Sequence, residues 1–187
     1  MSKSLVAIHF VIVISLFVGI LCIGEKIRFI STERPTVTYC DHEFIAYYNL
    51  TSRRYGRADP FYYVDINFEA KQSFGNNFTV HFYFFESWST TYRRTMIEMH
   101  MKFCDFIEKD LFFGAAARQG RLRGSCPYPA GAYHLSNMSV PIDQIPQSFP
   151  IKRGRIYSNL SVTLTGRIIL SGYIDMEVKT VRIKKKN

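Results

Sequence analysis

Apolar and polar residues alternate with a period of two along most of this chain, and that pattern limits the fold more than any other feature. Val64, Ile66 and Phe68 alternate with Asp65, Asn67 and Glu69. Phe78, Val80, Phe82 and Phe84 alternate with Thr79, His81 and Tyr83, and Ile97, Met99, Met101 and Phe103 with Glu98, His100 and Lys102. Further on, Ile156, Leu160, Val162 and Leu164 are expected to point inward while Tyr157, Asn159, Ser161 and Thr163 face out. Ile174, Met176 and Val178 then alternate with Asp175, Glu177 and Lys179. Successive side chains of a strand leave opposite faces, so each run reads as a half-buried strand. Shorter candidates lie at 27–30, 36–50, 132–140 and 168–170, separated by Gly, Pro and Asn turn chemistry such as Gly75-Asn76-Asn77, Pro141, Pro146 and Pro150. One segment departs from the rule: Phe106, Ile107, Leu111 and Phe112 recur at three-to-four spacing before Ala115-Ala116-Ala117, which predicts one short helix over 105–117. Seven to nine short strands with one helix describe a single all-β domain, a sandwich or a barrel.

The chain opens with one positive charge, Lys3, and then runs apolar from Leu5 to Ile23 before turning polar at Gly24-Glu25-Lys26. These are the parts of a secretory signal peptide, expected to be cleaved from residues 1–24 and to leave 25–187 as the domain. The run is long for a signal core, so an uncleaved anchor is the rival reading. Four N-x-Ser/Thr sequons, at Asn49, Asn77, Asn137 and Asn159, favour passage through a glycosylating, oxidising compartment and a secreted, extracellular protein. There, Cys40, Cys104 and Cys126 make one bridge and one leftover thiol. Sequence alone does not fix the pairing, and the modest loop between Cys104 and Cys126 is the preferred one. No Cys or His pair has ligand spacing, so no metal or cofactor is expected.

With 24 Lys+Arg against 15 Asp+Glu, the formal charge is +9, and the basic residues clump at Arg53-Arg54 with Arg57, Arg93-Arg94, Arg118 with Arg121 and Arg123, Lys152-Arg153 with Arg155, and Lys184-Lys185-Lys186. Such clumps attract phosphate-bearing partners. An exported protein rarely meets nucleic acid, so an anionic membrane surface or a membrane receptor is the expected partner, and a plain solvated face is the alternative. Nucleophile elbow, metalloprotease His pair and phosphate-cradling loop are all missing from the sequence. His81 and His100 are expected to be solvated. His134 has no carboxylate placed to orient it, so no enzyme is expected. The inner faces are rich in Phe and Met, which suit an apolar pocket. Phe68, Phe78, Val80, Phe82, Phe84, Met99, Met101, Phe103, Leu160, Val162 and Leu164 are the candidate lining of a site for a lipid or other hydrophobic small molecule. The alternative is an extracellular interaction protein with a fully packed core, whose odd Cys40 or basic surface makes contacts.

Over roughly Asp59 to Ile183 the chain resembles a known family in pattern, most specifically in the Cys126-Pro127-Tyr128 stretch and its spacing from Cys104. A strand ending Lys102-Phe103-Cys104-Asp105, a helical stretch, Ser125-Cys126-Pro127-Tyr128 with Gly131-Ala132-Tyr133, Ile145-Pro146 and a Pro150-x-x-x-Gly154 segment resemble secreted insect proteins of the ML lipid-recognition superfamily. That superfamily includes the ganglioside activator protein and the CheA/CheB-type chemosensory proteins. The resemblance implies an immunoglobulin-like β-sandwich splayed into a cup, an apolar interior that holds a lipid, and a disulfide carried over onto Cys104 and Cys126. Its insect members suggest a part in chemosensation or pheromone response. Cys40 departs from a fully paired pattern, and the first fifty residues align least well.

Overall fold

In the computed structural model the described residues are 25–57, 59–122, 125–140 and 148–183. The expected signal segment at 1–24, Arg123, the turn at Pro141 and Pro146, and Lys184-Lys185-Lys186 lie outside them. Arg28–Lys179 forms one compact unit, and the outermost described residues at the two ends belong to a second.

Eight strands and two short helices follow in the order β1 (Glu25–Cys40), β2 (Ile45–Arg53), β3 (Tyr63–Ala70), β4 (Phe78–Trp88), β5 (Thr91–Lys102), α1 (Phe103–Lys109), α2 (Phe113–Gln119), β6 (Gly131–Met138), β7 (Arg153–Val162) and β8 (Ile168–Ile183). They build two antiparallel sheets, β1-β8-β7-β4-β5 and β2-β3-β6, an all-β sandwich, one of the two architectures that the alternation leaves open. Phase agrees as well: Val80 pairs with Met101 and Leu160 on the inner face, and His81 with His100 and Asn159 on the outer.

Several boundaries differ from the sequence reading, each for a local reason. The candidates at 27–30 and the front of 36–50 are one strand, β1, running through Pro35. Proline cannot donate to a ladder, and β1 tolerates it because it is an outermost strand, with Arg34 at φ 51 just before it. The rest of 36–50 becomes β2 after a turn held by Asp41, which accepts from the Glu43 amide at 3.0 Å. The single expected helix is two. Asp110 takes extended angles (φ −70, ψ 130), and its buried carboxylate accepts from the amides of Phe112 (3.0 Å) and Gly114 (2.7 Å). A side chain that satisfies backbone donors outside the helical ladder competes with that ladder and ends α1 there. On β5, Glu98 pairs with Tyr83 but Arg94 with Phe85, so residues 95–97 bulge out opposite Phe84. Thr95 Oγ1 donates to the Phe84 carbonyl (2.8 Å), and Met96 is left 94% exposed.

Two side-chain placements are corrected. Leu164 lies beyond β7 in the turn to β8 and is 95% exposed, so it is no part of the interior. Asp65 does leave the outer face of β3 but is buried. Arg53 Nε reaches its carboxylate at 2.6 Å and the Asn137 amide donates to it at 2.8 Å, so the charge is compensated where it sits.

Candidate functional site: an apolar cavity between the sheets

The two sheets do not close completely on one another. Val64, Ile66 and Phe68 of β3 and Leu135 and Met138 of β6 face Phe78, Val80 and Phe82 of β4 and Leu160 of β7. Phe106, Ile107, Phe113, Ala116 and Ala117 of the helices line the same space, a cavity of about 290 Å³. That volume is at the lower end of ordinary ligand sites. At about 30 Å³ per water-sized group, it holds roughly ten non-hydrogen atoms of chain.

Of the eleven candidate residues, Phe68, Phe78, Val80, Phe82, Phe103 and Leu160 line the cavity. The others do not. Phe84 is buried with Ile30, Ile151, Ile156 and Met176. Met99 and Met101 pack against the core from β5, and Val162 packs beside Ile169. Leu164 is in solvent. Residues that the alternation missed are equally prominent. Phe106 and Ile107 of the helical wall were readable from the three-to-four spacing, but Phe113 was not in that pattern and Leu111, which was, is exposed; Thr32 and Tyr48 lie on strands whose alternation is too irregular to assign a face.

One end of the cavity is an aromatic wall, and the cysteine segment builds it. Cys104 and Cys126 are bonded, with their Cα atoms 5.6 Å apart, and the Cys126–Pro127 peptide is cis. The chain leaving it makes a two-way backbone bridge between Tyr128 and Phe74 (2.8 and 2.9 Å). Tyr128 is buried and stacks on Phe74 at 5.3 Å. Phe74 in turn meets Phe103 (5.2 Å) and Tyr133 (5.0 Å) edge-on, and Tyr133 stacks on Phe68 at 5.1 Å. Such pairs add about 0.5–1.5 kcal/mol each beyond area burial. Cys40 is the free cysteine, half-buried against the same cluster, and burial pushes its thiol pKa up.

On the outer face of the larger sheet His81 and His100 contact each other; His100 is exposed, as a solvated ring is expected to be, and His81 is half-buried. His81 Nδ1 lies 2.8 Å from His100 Nδ1, and His81 Nε2 lies 2.7 Å from the buried Ser161 hydroxyl. His100 Nε2 reaches Glu98 at 3.2 Å, and Arg94 reaches the other oxygen of that carboxylate at 2.7 Å. Burial, and then the His100 charge, hold the His81 pKa below its ordinary 6.5. As the pH falls, the unfolded chain therefore takes up this proton first. The contribution to stability is complete above about 6.5 and is lost as the pH drops from there toward the folded pKa. Melting temperature is thus expected to be lower at pH 5 than at pH 7.5, and His100→Gln to remove part of that drop, since the larger cause, burial, remains. A melting curve whose pH dependence is untouched by His100→Gln would break the coupling.

The arginine clumps are largely used within the fold. Arg155 bonds Asp175 at 2.7 Å and lies between the rings of Tyr173 (3.9 Å) and Tyr92 (4.3 Å). Arg93 covers Trp88, and Arg118 donates to the carbonyls of Ile107 and Asp110. Lys152 and Arg153 are exposed. His134 Nδ1 bonds the Asn67 side-chain oxygen. The sequon residues Asn77 and Asn137 are exposed, while Asn49 and Asn159 are half-buried. No group of three potential ligands for a metal ion, and no helix long and apolar enough to cross a membrane, occurs among the described residues.

A family model described as a protein of unknown function (DUF1091) matches residues 77–153, from the start of β4 to the first residue of β7. The matched span contains α1, α2, both bonded cysteines and β6. No curated protein matches the chain.

Proposed function

We propose that this protein is a secreted, glycosylated, non-enzymatic carrier that holds a lipid or other hydrophobic ligand in the cavity between its sheets. The observation that carries the reading is the cavity, ringed by phenylalanines from β3, β4 and both helices and from the segments joining them. Burying about ten methylenes at ~0.8 kcal/mol each gives roughly 8 kcal/mol before the cost of association, enough for useful affinity without any ionic contact. The sequons, the disulfide and the apolar leader favour export. The ML-like segment around Cys104 and Cys126 favours the same ligand class and a cup-shaped domain. Delivery to a membrane receptor or to an anionic membrane surface fits the exposed Lys152 and Arg153, and an insect chemosensory setting fits the resemblance.

The test is ligand-linked stability. At a hundredfold excess over Kd, a bound ligand stabilises by about 2.7 kcal/mol, which at 2–4 °C per kcal/mol is a rise in melting temperature of about 5–11 °C. Ala116→Leu places a branched side chain where α2 faces the cavity. It is expected to leave the ligand-free protein at least as stable, since the space is already open, and to abolish the rise. If Ala116→Leu instead unfolds the protein, the space is packed core. That result would favour the second reading, an extracellular interaction protein acting by its surface, for which the exposed Trp88, Tyr92 and Met96 are the observation.

A further inference from the structure

The lining of the cavity specifies its occupant more closely than its volume does. Among the described residues that line it, none is Asp, Glu, Lys, Arg or His. An ionised carboxylate or phosphate drawn inside would therefore meet no counter-charge, and a charge buried without a partner is strongly disfavoured. The lining is not purely hydrocarbon, however. Thr32 of β1, Tyr48 of β2 and Ser158 of β7 all line it, and none of their hydroxyls has a hydrogen-bond partner among the described residues. The Thr32 hydroxyl is fully buried and so out of a ligand's reach. Ser158 shares the inner face with its cross-strand partner Phe82. Burial also pushes the Tyr48 phenol well above its usual range, so that it remains a neutral donor. Buried polar groups in folded proteins are almost always paired, so unpaired hydroxyls along one apolar space invite an outside partner.

We infer that the cavity selects an uncharged, single-chain lipid bearing one neutral oxygen function, such as a long-chain alcohol, aldehyde or ester, with Tyr48 supplying a hydrogen bond to that oxygen. The inference rests on the carrier reading above and narrows it in two ways. Fatty-acid anions and phospholipid headgroups are rejected by the missing counter-charge. A plain alkane is accepted less well than an alcohol, because it leaves the Tyr48 hydroxyl unpaired.

Three probes of one chain length, decan-1-ol, decanoate and decane, separate these terms by the rise in melting temperature that each gives at pH 8, using the full chain. Decanol is expected to bind at least tenfold more tightly than decanoate, read as the larger rise at equal concentration. Tyr48→Phe keeps the shape of the site. It is expected to weaken decanol roughly three- to tenfold, the range for one net hydrogen bond, and to leave decane unchanged. Decanoate binding as tightly as decanol would overturn the selection against charge while leaving the cavity intact as a ligand site. Decane matching decanol in the parent protein, a comparison that needs no variant, would overturn the role of the Tyr48 hydroxyl. Failure of all three probes to raise the melting temperature would overturn the carrier reading itself, and this inference with it.

Discussion

Gly154→Ala is expected to lower the stability of the domain by at least about 3 kcal/mol, seen as a fall in melting temperature of roughly 6–12 °C. A Cβ built at Gly154 falls 2.0 Å from the Phe85 carbonyl oxygen and 3.0 Å from Ile151. The obstacle is backbone inside the β4–β7 ladder, where Gly154 pairs with Glu86. No rotamer change relieves it, so one of the two strands must move. Gly166→Ala is the control. At φ +70 with nothing within 4 Å, its cost is only that of a left-handed alanine, about 1–2 kcal/mol. If the two variants melted together, the close approach of β4 and β7 at this point would be wrong.

The second large effect concerns the bridge. Replacing Cys104 and Cys126 by serine is expected to cost about 3 kcal/mol, because the bond closes a 22-residue separation in the unfolded chain. It should read out as a lower urea midpoint with the proteins otherwise compared under identical conditions. The same change should impair ligand uptake beyond its effect on stability, since the bridge positions Tyr128 against Phe74 and Phe103, and Phe74 and Phe103 line the cavity. A double serine variant that keeps both its urea midpoint and its ligand-induced rise in melting temperature would separate the bridge from the aromatic wall.

How much of this was legible in the sequence depended on how regular each element is. Strands β3 and β4 alternate cleanly, and their inner faces, Val64, Ile66 and Phe68 with Phe78, Val80 and Phe82, supply much of the cavity. Alternation assigns a face but not a position along the strand. Phe84 therefore falls in a packed cluster, although it shares the face of Phe82. Leu164 continues the β7 pattern in sequence, yet the ladder has already ended at Val162, and nothing in the period announces where pairing stops. The split of the helix at Asp110 depends on a buried carboxylate capturing two amides, a contact that the spacing of apolar residues does not encode. Tyr48 was invisible for a different reason. Its importance comes from having no partner, and a lack of partners becomes apparent only once the neighbours are in place.

The interruptions in the two outermost strands of the larger sheet bear on how the protein behaves in crowded fluid. β1 carries Pro35 with the left-handed Arg34 beside it, and β5 carries the bulge at 95–97. Either strand, if straight, would offer a continuous row of unpaired amides and carbonyls on which a second molecule could add its own strand. The kink on one side and the bulge on the other break both rows. The larger sheet is thereby kept from growing into a polymer, and the chain can accumulate at high concentration while its sandwich stays slightly open.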